Sequence, residues 1–182
     1  MRGLSAIVVA VLALGALSGV GADQGTRPPG EDVVRWREVA WPFPRDGWPA
    51  GRAFRCEASS CGEGIELYVR PKLGFCNCDR GVADDDEVDR VADIDLISER
   101  FAPRAPGSVV RIGEMSGRAR NYELSMPNGP HTAIGVAVSR RCDLLVAVAQ
   151  GRGEAADGQR AALEFLESQG MRTWMIAALD GR

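Results

Sequence analysis

Apolar and polar residues alternate through the stretch 65–70, where Ile65, Leu67 and Val69 interleave with Glu66, Tyr68 and Arg70. Successive strand side chains point to opposite faces, so this period of two predicts a half-buried strand with one apolar face. Residues 54–56 read as a second strand. The loop between them holds Ser59, Ser60, Gly62 and Gly64, which makes the pair a hairpin with a long turn. Four further strands are predicted at 109–112, 120–126, 132–138 and 144–150. Turn residues separate them at 113–117, at Pro127-Asn128-Gly129-Pro130 and at 139–143, and connections this short join antiparallel neighbours.

The period changes in two places. After Asp84, residues Val88, Val91 and Ala92 fall on one helical face; Asp84 is placed to cap the first turn, with Glu87 three positions on and further acids beside the positive end of the helix dipole. From Gln159 to Ser168, Ala162, Leu163, Phe165 and Leu166 recur at helical spacing, and Gly170 is expected to stop that helix. Residues 174–179 fit a last strand or a short terminal helix. Trp36, Trp41, Phe43 and Trp48 are interleaved with Pro42, Pro44, Gly47 and Pro49, which keeps the backbone out of a helix and predicts an aromatic plug over one end of the core. Together these elements predict an α+β fold: one domain, an antiparallel sheet flanked by helices.

The N-terminal segment has a different character. Arg2 is followed by an apolar run from Ala6 to Leu17 and by small residues at Val20, Gly21 and Ala22, the pattern of a secretory signal over 1–22. A flexible leader is expected at 23–32 and the single domain at 33–182, which is not membrane-spanning after signal removal. The formal net charge is -3 and Lys72 is the only lysine, so a nucleic-acid backbone is not an expected partner.

Export changes the reading of Cys56, Cys61, Cys76, Cys78 and Cys142, because thiols in an oxidising compartment pair, and five leave one unpaired. Cys56 and Cys61 stand at the two sides of the predicted hairpin loop and are placed for a local bridge. In an extended segment Cys76 and Cys78 present both sulfurs to one side, with Cα atoms roughly 6.5–7 Å apart, at the limit of disulfide geometry. Each then needs a distant partner, and a bridge from this segment to Cys142 closes a long loop. The alternative is a thiol-redox or copper site formed by Cys76 and Cys78.

Other chemistry is sparse. The acidic run from Asp84 to Asp93 invites a calcium reading, but Asp89 stands where the loop template needs glycine, and a helix start fits better. His131 is the only histidine; it follows Pro130 and reads as a solvated turn residue. Arg111, Arg118 and Arg120 surround Tyr122 and offer an anion site, with plain exposed strand arginines as the alternative. No nucleophile elbow or phosphate loop accompanies them.

From Gly117 onward the chain runs Gly-Arg-Ala-Arg-Asn-Tyr-Glu-Leu, then an apolar strand at 133–138, a turn, the strand at 144–150 and a helix ending Leu163-Glu-Phe-Leu166-Glu-Ser168. This order resembles the C-terminal half of PsbP-like domains over roughly the last third of the chain. The resemblance implies an α+β sandwich serving as a non-catalytic accessory to a larger assembly, with no binding residue or cofactor to carry over. The expected function is an exported binding or assembly-accessory protein with a structural disulfide framework and a protein partner in the cell envelope.

Overall fold

The computed structural model describes residues 36–57, 61, 64–74 and 78–181. The expected signal peptide, the leader and Cys76 lie outside the described residues. Eight strands form one sheet: β1 (Trp36–Val39), β2 (Arg52–Cys56), β3 (Ile65–Lys72), β4 (Phe101–Pro103), β5 (Ser108–Ile112), β6 (Met115–Met126), β7 (Gly129–Arg140) and β8 (Asp143–Gly151). Their order is β1-β2-β3-β8-β7-β6-β4, with β5 also paired to β6. Every pairing is antiparallel. Among the described residues the helices are α1 (Asp85–Val91), α2 (Ala155–Leu166) and α3 (Gln169–Leu179), with a 3-10 turn at Ile94–Leu96. The fold is therefore α+β, an antiparallel sheet flanked by helices.

The half-buried sheet expected from the alternation is covered on both faces. On one face Trp36, Phe54, Leu67, Val136 and Ala147 pack against Phe165, Leu166 and Met175 of α2 and α3. Phe165 stacks on Trp36 at 5.0 Å and meets Phe54 edge-on at 4.9 Å, so one side chain of α2 joins the two outer strands to the helical layer. On the other face Val88, Val91 and Ile94 cover Tyr122, Ala137, Val146 and Val148. Gly135 permits that close approach: a Cβ there would lie 2.9 Å from the Ala92 methyl. This double coverage explains why Leu144 to Ala149 is an unbroken apolar run, all of it buried.

The start of α1 follows the sequence reading. Asp84 accepts from the Glu87 backbone N–H at 2.9 Å, while the Glu87 carboxylate takes Arg90 instead of closing a capping box. Gly170 stops nothing. The α2 helix ends at Leu166, where the Ser168 N–H tightens onto the Phe165 carbonyl, and α3 restarts at Gln169 with Gly170 in its first turn. The single aromatic plug also divides. Trp36 belongs to the face covered by α2 and α3, whereas Trp41 and Phe43 pack half-buried around Tyr68 on the face that carries α1.

Two disulfides close the framework: Cys56–Cys61, five positions apart, and Cys78–Cys142, 64 positions apart. Bridges of this kind fit an exported protein. No described helix is long and apolar enough to cross a membrane.

Candidate functional site

Strand β3 places Glu66, Tyr68, Arg70 and Lys72 in a single row on the face that carries α1. Register lays Arg55 of β2 beside Glu66 and Gln150 of β8 on its other side. His131 sits at the start of β7 opposite Leu124. It is buried, not a solvated turn residue, because β7 begins at Gly129 and the turn contains only Pro127 and Asn128.

These residues form one hydrogen-bonded chain. Arg55 donates through Nε and Nη2 to Glu66 Oε1 at 3.1 and 2.6 Å. Tyr68 Oη and Gln150 Nε2 donate to Glu66 Oε2 at 2.6 and 2.9 Å. Gln150 Oε1 faces His131 Nδ1 at 2.6 Å. An amide oxygen only accepts, so this contact puts the proton on Nδ1 and leaves a lone pair on Nε2. Arg152 Nε reaches that Nε2 at 3.4 Å, and Arg152 Nη2 lies 3.4 Å from the Asn128 carbonyl.

The chain floors an open groove of about 460 Å³ walled by Arg55, Glu57, Met126, Asn128 and Arg152. A neighbouring cleft of about 350 Å³, reaching Thr132 and Gln159, shares Gln150, Gly151 and Arg152 with it. Burial pushes the Glu66 carboxyl up, but donation from Tyr68, Arg55 and Gln150 outweighs it and holds Glu66 below its ordinary value. Burial and the Glu66 carboxylate raise Tyr68. Glu66 is thus an ionised anchor with both oxygens engaged, and the Tyr68 hydroxyl stays protonated.

Farther along β3 the row is closed. Arg70 Nε and Nη2 grip both oxygens of Asp93 at 2.6 and 2.8 Å, and Arg70 Nη1 reaches Asp46 at 2.8 Å. Lys72 Nζ donates to Asp93 at 2.6 Å and to the Val91 carbonyl at 2.8 Å. Asp93 holds a left-handed backbone, φ 61°, a conformation that Asp tolerates better than most residues.

The arginine cluster around Tyr122 does not form an anion site. Arg118 pairs with Asp85 at 2.5 Å and Arg120 with Asp89 at 2.7 Å, and Tyr122 donates to Asp89 at 2.6 Å. Arg111 is an exposed residue of β5. The acidic run and the arginines, two separate features of the sequence, meet across α1 and β6 and neutralise each other. Donation from the Gly107 N–H and from Arg118 holds Asp85 below the usual carboxylate range. Among the described residues no group of three or more His, Cys, Asp and Glu side chains is gathered to hold a metal ion.

Of the five cysteines singled out in the sequence, Cys56 and Cys61 pair beside the groove, and Cys78 and Cys142 pair at the opposite end of β3. Cys78 lies in a turn, and its sulfur is bound to Cys142, so a Cys76/Cys78 dithiol exists only once that bridge is opened. Sequence reasoning missed Gln150 and Arg152. Gln150 was legible as the one polar residue in the apolar run of β8, but only strand register shows that it links Glu66 to His131.

No family model matches this chain, and no curated protein does. Among solved structures the chain is similar to the crystal structure of a protein of unknown function from Pseudomonas aeruginosa, at 11% identity, over 74% of this chain and 80% of that one, with a TM-score of 0.37.

Proposed function

We propose that this chain is an exported, non-catalytic binding or assembly-accessory protein, with a protein partner in the cell envelope, as the resemblance to PsbP-like domains implies. The observation that carries this reading is the groove. Its floor of Glu66, Gln150 and His131 is fixed by mutual hydrogen bonds, and its carboxylate is engaged by four donor contacts. Glu66 therefore has no free lone pair with which to act as a general base, and the Nε2 lone pair of His131 faces Arg152. Rigid, satisfied polar groups in an open groove instead suit recognition.

The test is affinity capture from envelope extracts with the mature chain, followed by binding of the purified candidate in isolation. A reproducible partner with saturable binding is the expected outcome. Repeated capture without one would overturn the reading. The second reading, thiol-redox or copper handling through Cys76 and Cys78, draws on the exposure of both residues of the Cys78–Cys142 bridge. Thiol counting with metal analysis separates the two. One thiol without metal supports binding; three thiols or stoichiometric copper support the alternative.

A further inference from the structure

We infer that the groove binds an oxyanion, specifically a carboxylate presented by the protein partner, gripped by the guanidinium of Arg152 beside the His131–Gln150 floor. This inference rests on the binding reading above and names the chemistry that the groove recognises.

The two arginines of the groove differ in how their charge is met. Arg55 spends Nε and Nη2 on Glu66. Arg152 is exposed, and among the described residues its hydrogen-bond partners are two neutral acceptors, His131 Nε2 and the Asn128 carbonyl, both at 3.4 Å. N–H donors bond best at about 2.7–3.2 Å, so these contacts aim the guanidinium without saturating it. Among the described residues no carboxylate pairs with Arg152. The groove's own acids cannot serve: Glu66 is fully engaged on the far side of Gln150, and Glu57 pairs with Arg37 at 3.3 Å.

His131 makes the arrangement specific. With its proton on Nδ1, the ring offers Arg152 a neutral lone pair that orients the guanidinium and leaves its positive charge uncancelled. His131 itself is held by Gln150, which is held by Glu66, and His131 and Gln150 are both more than nine-tenths buried. A planar fork of donors, aimed by these two contacts and without a carboxylate partner among the described residues, matches a carboxylate bidentately. Gly151 and Gly153 flank Arg152 and present no side chain that would crowd an incoming group.

Because His131 is the only histidine, its imidazole gives a single set of nuclear magnetic resonance signals beside the proposed ligand. The full mature chain is titrated with sodium acetate and, separately, with an acidic peptide bearing a free C-terminus, against sodium chloride at matched ionic strength. The expected result is a saturable shift of the His131 signals with the peptide and a weaker one with acetate. Arg152→Gln should bind about ten- to a hundredfold more weakly. Arg152→Lys, which keeps the charge but loses the fork, should rescue only part of this. Thermal melting of both variants checks that they fold.

Equal affinity for peptide and acetate would overturn the assignment to a protein ligand in favour of a free small anion. Signals that move no further than in chloride, or move equally in Arg152→Gln, would overturn the anion site altogether. If an envelope partner is still captured in that case, the binding reading stands and only the groove's role falls.

Discussion

The two ends of β3 carry the same kind of residue and end in different states. At one end Arg70 and Lys72 are buried against Asp93, with the chain between β3 and α1 stapled to the β7–β8 turn by Cys78–Cys142. At the other, Glu66 and Tyr68 lead through Gln150 and His131 to Arg152, which has no carboxylate partner among the described residues, and the nearby bridge closes only a five-position loop. The difference is coverage. The segment after α1 and the Trp41–Trp48 stretch reach over Arg70 and Lys72 and bring carboxylates with them; neither walls the groove. Charge that is covered becomes structure, and charge that is left open remains available for binding.

The largest expected effect lies at the closed end. Asp93→Ala leaves two buried cations short of their shared anion and should cost about 3–5 kcal/mol, read as a fall in melting temperature. Asp93→Asn, which tolerates the left-handed backbone, separates loss of charge from backbone strain. An unchanged melt in both variants would show that Asp93 does not hold this end.

The bridges come next. In the chain-entropy model the 64-position loop contributes about 4 kcal/mol and the five-position loop about 2 kcal/mol. Cys142→Ser should therefore melt lower than Cys61→Ser. The reverse order would place the stronger restraint at the groove end.

A smaller effect concerns Glu66. Its carboxyl is held below its ordinary value of 4.5, so between the folded and unfolded values the unfolded chain binds more protons. The stability it contributes is complete above pH 4.5 and is lost as pH falls through the lower folded value. Melting temperature should thus fall less steeply below pH 4.5 in Glu66→Gln than in the parent. Parallel curves would mean that its ionisation does not contribute to folding.

Smallest is Arg152→Gln, expected to leave stability within about 0.5 kcal/mol, as for a surface position without a buried pair. A clear drop in chemical denaturation midpoint would make Arg152 part of the scaffold and weaken the contrast between the two ends.

Much of the framework was legible along the chain. The period of two marked β3 and the late strands, and Asp84 with Glu87 marked the start of α1, because these signals arise within a few residues of each other. The interrupted helix near Gly170 was not legible. Glycine is a helix stop only where the backbone turns left-handed, and here the chain had already turned at Glu167 and Ser168. His131 was misplaced for a related reason: the turn before it is two residues long, so the strand begins earlier than its Pro-Asn-Gly-Pro surroundings suggest.

By itself the sequence determined the class of fold and marked Cys56 and Cys61 as placed for a local bridge, since alternation, capping and loop length are local properties; which cysteines pair, Cys78 with Cys142 among them, came from the tertiary structure. Only the tertiary structure decided which charges are consumed. Arg118 and Arg120 lie more than thirty positions from Asp85 and Asp89 and meet them because α1 packs across β6. Gln150 joins Glu66 from 84 positions away because β3 and β8 are neighbours. A charged side chain takes its state from whatever the fold sets opposite it, and sheet order brings those partners from distant parts of the chain.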